Sequence, residues 1–202
     1  SQNRTFFLFF FVSFTFFFKS LVGDVAFITN QESNMLDVID LKIKKNINQI
    51  KVGEKPAGIA IDKTNKIVFV SNPESNNISK INLVNNTHDF FFAGNSPMSL
   101  YYSRTDRLLY VTNWYENKIS IVNTINNKLI KSIDVGKSPA GIYVVEDLER
   151  VFVANKDDNT VSVIDTDKFK ILKNIPVGKA PYGVFSSPKT EYIFITNVQS
   201  NS

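Results

Sequence analysis

The tetrapeptide FITN ends at Asn30 and returns as FVSN at Asn72, YVTN at Asn113, FVAN at Asn155 and FITN at Asn197, in steps of 42, 41, 42 and 42 residues. Two further markers keep that beat. One reads VGEKPAG from Val52, AGNSPMS from Ala93, VGKSPAG from Val135 and VGKAPYG from Val177. The other is a turn asparagine at Asn34, Asn76, Asn117, Asn159 and Asn201. A fixed period of this length marks a chain built from one supersecondary unit stacked on copies of itself, because a single unit cannot bury its apolar face alone.

Each period holds four short apolar runs. In the clearest copy these are residues 141–145 (GIYVV), 151–154 (VFVA), 161–164 (VSVI) and 171–177. They are rich in β-branched and aromatic residues and bounded by Asn, Asp, Gly or Pro, which is strand chemistry. Beyond the N-terminal apolar run no stretch keeps an apolar face at i, i+3, i+4, i+7 for three turns, so helices are not expected. Four antiparallel strands in about 42 residues predict an all-β chain, a β-propeller of four-stranded antiparallel blades. With strands lettered A to D from the channel outward, strand B ends in the recurrent Asn. The D–A and B–C loops then share one face, and the A–B and C–D turns the other. Gly58, Gly141 and Gly183 fall on strand A, where backbones crowd the centre. Asn30, Asn72, Asn113, Asn155 and Asn197 are expected to cap strand B by bonding nearby backbone groups.

Residues 110–113 read YVTN, and V-G-x-x-P-x-G followed by Y-V-x-N and then DNTVSVID at 158–165 resembles the YVTN-repeat β-propeller family across residues 24–202. The resemblance implies a surface or periplasmic propeller, similar to lactonase-like propellers and to those that accompany quinoprotein dehydrogenases. Such propellers commonly close with seven blades. Residues 24–202 supply three full blades plus partial blades at both ends, and the sequence starts at Ser1. The expectation is a fragment of a seven-bladed propeller that is monomeric when complete.

Half of the 18 phenylalanines lie between Phe6 and Phe18, with Arg4 before them and Lys19 after. As a helix this run would be roughly 21 Å long, short of the roughly 30 Å hydrocarbon core. A basic start and a short apolar stretch make residues 1–23 a signal peptide-like leader. The expected location is extracytoplasmic (periplasm, cell surface or secreted), with membrane contact only through the leader if it stays uncleaved.

The chain has no cysteine and one histidine, which excludes disulfide scaffolds, thiolate zinc sites, cysteine nucleophiles and multi-histidine metal centres. No catalytic residue, metal site or cofactor is expected. His88, in NTHDFFF, reads as an exposed turn residue, and its neighbour Asp89 would point to the opposite face of a strand. A net charge of +4 permits an anionic partner without demanding one, and there is no strong nucleic-acid signal.

Positions where the repeats disagree are the binding candidates. Trp114 and Tyr115 occupy a B–C turn that elsewhere holds Pro73–Glu74 or Lys156–Asp157. Tyr182 and Met98 take the channel-side position of Ala57 and Ala140, and Lys55, Lys137 and Lys179 recur in D–A loops, with Asn95 in the remaining copy. Aromatics beside cations suit an anionic or planar ligand, or a protein hot spot. The opposite face is expected to offer only short polar turns, at 62–65 and 147–150, where Arg104, Arg107 and Arg150 also lie. The favoured reading is an exported binding or scaffold protein presenting a loop face to a protein, polymer or small ligand. Two others stay open: a lactonase-like enzyme or subunit associated with a quinoprotein dehydrogenase, and a nucleic-acid or cell-surface polymer binder using the Lys loops.

Overall fold

The computed structural model describes residues 24–187 and 192–200. The expected leader at 1–23 and the turn residue Asn201 lie outside the described residues. The first sheet holds β1 (Val25–Asn30), β2 (Met35–Asp40) and β3 (Lys45–Lys51). Three four-stranded sheets follow. The second is β4 (Ile59–Asp62), β5 (Ile67–Asn72), β6 (Asn77–Asn82) and β7 (His88–Phe91). The third is β8 (Pro97–Ser103), β9 (Leu108–Asn113), β10 (Lys118–Asn123) and β11 (Lys128–Asp134). The fourth is β12 (Pro139–Val145), β13 (Arg150–Asn155), β14 (Thr160–Asp165) and β15 (Lys170–Pro176). A fifth pairs β16 (Pro181–Ser186) with β17 (Ile193–Asn197). Each sheet is an antiparallel meander of sequential strands. Helix among the described residues is limited to the 3-10 turns Glu146–Leu148 and Lys156–Asp158. This is the all-β propeller of four-stranded blades that the period predicts.

The core is a series of sheet-on-sheet contacts. Leu36 and Val52 of the first blade meet Val68, Val70 and Ile81 of the second. Phe69 and Ile78 of the second meet Leu109 and Val111 of the third, and Tyr110, Ile119 and Ile121 of the third meet Ile142, Val151 and Val153 of the fourth. Strand B of the third blade is covered on both faces, so β9 is buried along its whole length. Strand D is the exposed rim: β11 and β15 carry lysines that protect an unpaired edge.

Near the centre the first four blades are joined by the hydroxyl that precedes the recurrent Asn: Thr29, Ser71 and Thr112. Ser71 Oγ accepts the Gly58 N–H at 2.7 Å and donates to the Met98 carbonyl of the next blade at 2.6 Å. Thr112 Oγ1 repeats this with Ser99 N–H and the Ala140 carbonyl, both at 2.9 Å. The crowding expected at strand A is real at two glycines. A Cβ on Gly58 would stand 2.4 Å from the Met98 carbonyl oxygen, and one on Gly141 2.3 Å from that of Tyr182. Gly183 differs, since its Cβ would meet Thr196 Oγ1 of its own sheet at 2.7 Å.

The recurrent asparagines do more than cap strand B. Asn113 Nδ2 donates to Ser120 Oγ of strand C at 2.8 Å and to the Ala93 carbonyl at 3.1 Å; Asn155 Nδ2 donates to Ser162 Oγ at 2.8 Å. Their partners are mainly strand C hydroxyls and the D–A loop, because the buried amide faces across the sheet rather than back along its own strand.

Candidate functional site

The turn asparagines fix the geometry of the loop face. Asn34, Asn76, Asn117 and Asn159 all adopt left-handed φ, a conformation Asn tolerates. Each side-chain oxygen accepts a backbone N–H from the following D–A loop: Lys55 at 2.9 Å, Ser96 at 2.7 Å, Ser138 at 3.0 Å and Ala180 at 2.8 Å. The D–A and B–C loops therefore share one face, clamped to one another.

This register corrects the lysine set. Lys55 occupies the left-handed position that Ser96, Ser138 and Ala180 hold in other copies. Lys137 and Lys179 lie one position earlier, opposite Glu54 and Asn95. The three lysines are exposed but do not form one equivalent ring.

Of the aromatic candidates, the structure brings two together. The Trp114 ring lies 6.4 Å from that of Tyr182, inclined at 54°, although the two belong to the third and fifth blades. Between them the fourth blade contributes Lys156, whose Nζ stands 5.4 Å from the Trp114 ring centroid. The cation beside the indole is thus Lys156 and not Lys179. Sequence reading passed over it as an ordinary turn residue, and only its place next to the departing Trp114 could have signalled it. Lys156 Nζ also pairs with Asp157 Oδ1 at 3.2 Å. Hydrogen bonds from the Ser138 hydroxyl and from Lys156 hold the Asp157 carboxyl below its ordinary value. Backbone bonds seat the group: Trp114 N–H donates to the Ser96 carbonyl at 3.0 Å, and Lys156 N–H to that of Ser138 at 3.2 Å. Tyr115 is 77% exposed and makes no part of this cluster. Met98 and Tyr182 both line a cavity of about 430 Å³ on the channel side, with Thr29, Ala57 and Ala140 from the other three blades.

Two expectations fail. His88 is half-buried at the start of β7, tilted on Phe90 with ring centroids 4.4 Å apart. Burial lowers its pKa, and its buried Nε2 has no hydrogen-bond partner. Strand D begins there because Ile81 and His88 pair, which takes the residue out of the turn. The opposite face is also more than polar turns. Inner-strand tyrosines of the third and fourth blades and the flanking A–B turns enclose a cavity of about 970 Å³ there, with Arg104 in its wall. Among the described residues no three His, Asp or Glu side chains gather as metal ligands, and no helix is long and apolar enough to cross a membrane.

Residues 60–150 match the model of the YNCE-like β-propeller family. Among solved structures the chain is similar to hydrazine synthase from Kuenenia stuttgartiensis, with a TM-score of 0.79 and 19% identity, covering 85% of this chain and 52% of that one. It is also similar to a functionally unknown protein from Desulfotomaculum acetoxidans DSM 771, with a TM-score of 0.74 and 14% identity, covering 85% and 58%. No curated protein matches the sequence. The chain spans little more than half the length of these two structures. Likeness at such identity extends to the fold, which hosts many activities. The chain has the β-propeller fold, and its central stretch is similar to the YNCE-like β-propellers.

Proposed function

We propose that the protein is an exported β-propeller that binds rather than transforms, presenting its D–A and B–C loop face to a ligand or partner. The observation that carries this reading is the convergence of Trp114, Lys156 and Tyr182 from three successive blades. Two inclined rings offer apolar faces to a flat group, and an ammonium at their side favours a negative edge. The recognised element is therefore a planar body bearing an anionic group, free or displayed on a larger partner. The leader-like run at 1–23 supports export.

Trp114 is the single tryptophan of the chain, so its fluorescence reports on this site alone. Benzoate, 2-naphthoate and adenosine monophosphate are the probes. At least one should quench the emission saturably, and Tyr182→Ala and Lys156→Ala should each weaken that binding about tenfold. Arg104→Ala, on the opposite face, should leave it unchanged. No saturable response to any probe, or a loss with Arg104→Ala and not with Tyr182→Ala, would overturn the reading.

A further inference from the structure

The face opposite Trp114 holds a second concave site. Its volume, about 970 Å³, is at the upper end of small-ligand cavities. Its aromatic wall is formed by Tyr101 of β8 and Tyr143 of β12, packed edge to face with centroids 5.2 Å apart. Both rings are half-buried and line the cavity. Burial, followed by the charge of Glu146, pushes the Tyr101 phenol up to about 12, which keeps it a neutral donor at ordinary pH.

The charged groups come from three consecutive A–B turns: Lys63, Arg104, and the pair Glu146 and Asp147. Among the described lining residues two positive and two negative charges balance. All four side chains are exposed, and they form no ion pair with one another. The Glu146 carboxylate accepts the Thr105 hydroxyl at 2.8 Å. Strong donors and strong acceptors are thus presented side by side without neutralising each other.

We infer that this cavity is a binding site for a neutral oligosaccharide. A sugar ring offers flat C–H faces, which pack on tyrosine rings, and hydroxyls that donate and accept together. Vicinal hydroxyls can answer an Arg and a carboxylate at once through charge-assisted hydrogen bonds. A balanced lining gives no net attraction to an anion or a cation, which disfavours a uronate or an amino sugar at the same position. The volume accommodates more than one ring.

The test is calorimetric titration and saturation-transfer NMR of the full chain with maltotriose, cellotriose and tri-N-acetylchitotriose, and with trigalacturonate as the charged comparator. At least one neutral trisaccharide should bind, more tightly than trigalacturonate. Arg104→Ala and Glu146→Gln should each weaken it about tenfold, the loss of one charge-assisted bond. Trp114→Ala should leave it unchanged, which separates this site from the loop-face site. Both cavity positions are exposed, so thermal midpoints should not move; if either does, Lys63→Ala and Asp147→Asn carry the same test. No binding of any neutral trisaccharide, preference for trigalacturonate, indifference to the charged substitutions, or loss with Trp114→Ala would each overturn the inference.

Discussion

Gly136 and Asn155 occupy one shared volume: the Gly136 N–H donates to Asn155 Oδ1 at 3.1 Å, and a Cβ on Gly136 would lie 2.6 Å from Asn155 Cγ. Gly53 with Asn72, Gly94 with Asn113 and Gly178 with Asn197 repeat the approach. The V-G and Y-V-T-N markers keep the same beat because they are the two halves of one contact. Gly136→Ala should cost about 1–3 kcal/mol through overpacking. In the Asn155→Ala background the same change should cost much less, since the obstructing side chain is gone. Gly94 has φ of +127°, so Gly94→Ala should remain costly even beside Asn113→Ala. Double-mutant cycles in urea check all three, and additive Gly136 and Asn155 effects would contradict the shared volume.

At the channel the obstruction is backbone rather than side chain. Gly141→Val must displace the Tyr182 carbonyl that already stands 2.3 Å from an ideal Cβ. The expected loss is at least about 3 kcal/mol, the upper range for overpacking. Lys137→Ala, at an exposed loop position, should stay within about 0.5 kcal/mol. Equal urea midpoints for the two variants would be inconsistent with the blade packing.

The inter-blade hydroxyl is missing once. Ala154 stands where Ser71 and Thr112 stand in other copies, and Gly141 and Tyr182 repeat the surroundings of Gly58 and Met98. Ala154→Ser should reach the Gly141 N–H and the Tyr182 carbonyl as Ser71 reaches their counterparts, adding about 0.5–1.5 kcal/mol. Thr112→Val removes both bonds from a buried site and should cost about 1–3 kcal/mol. Urea melts of both variants measure this; destabilisation by Ala154→Ser would mean the fourth and fifth blades are spaced differently.

What the sequence made legible is whatever recurs. Asn113, Gly136 and Asn117 announce strand ends and loops because a stacked architecture repeats each contact at the same interval. The placement of Met98 and Tyr182 at the channel followed from the same alignment. What recurs only approximately misled: Lys55 and Lys137 look equivalent until the left-handed turn position separates them. What does not recur was hidden. Lys156 resembles any surface turn residue until Trp114 of the preceding blade lies beside it. Tyr101 and Arg104 sit in the third blade and Tyr143 in the fourth, and nothing in one blade reveals that their turns enclose a cavity. The His88 environment depends on where β7 begins, which no marker specifies.

Tyr102 of the third blade donates its phenol to Asp62 Oδ2 of the second at 2.8 Å, which makes blade packing pH-dependent at both extremes. Burial first, then this bond, raises Tyr102 from 10.0 to about 12. Stability from the neutral phenol is complete below pH 10 and is lost as pH rises from 10 toward 12, because the unfolded chain ionises first. Tyr101, also at about 12, adds to the same loss. Asp62 runs the other way. Burial pushes its carboxyl up, but hydrogen bonds from Asn65, Tyr102 and Thr64 outweigh this and hold it below 3.8. Its contribution is present above pH 3.8 and is lost as pH falls through the depressed value. Tyr102→Phe should therefore shrink the alkaline loss, leaving the shares of Tyr101 and of Tyr110, whose buried phenol is also pushed up. It should also move the acid loss to higher pH, since Asp62 gives up one donor. Thermal midpoints of wild type and variant from pH 2 to 12 measure both limbs. A variant that changes only the alkaline limb would mean that the Tyr102 phenol does not stabilise the Asp62 carboxylate.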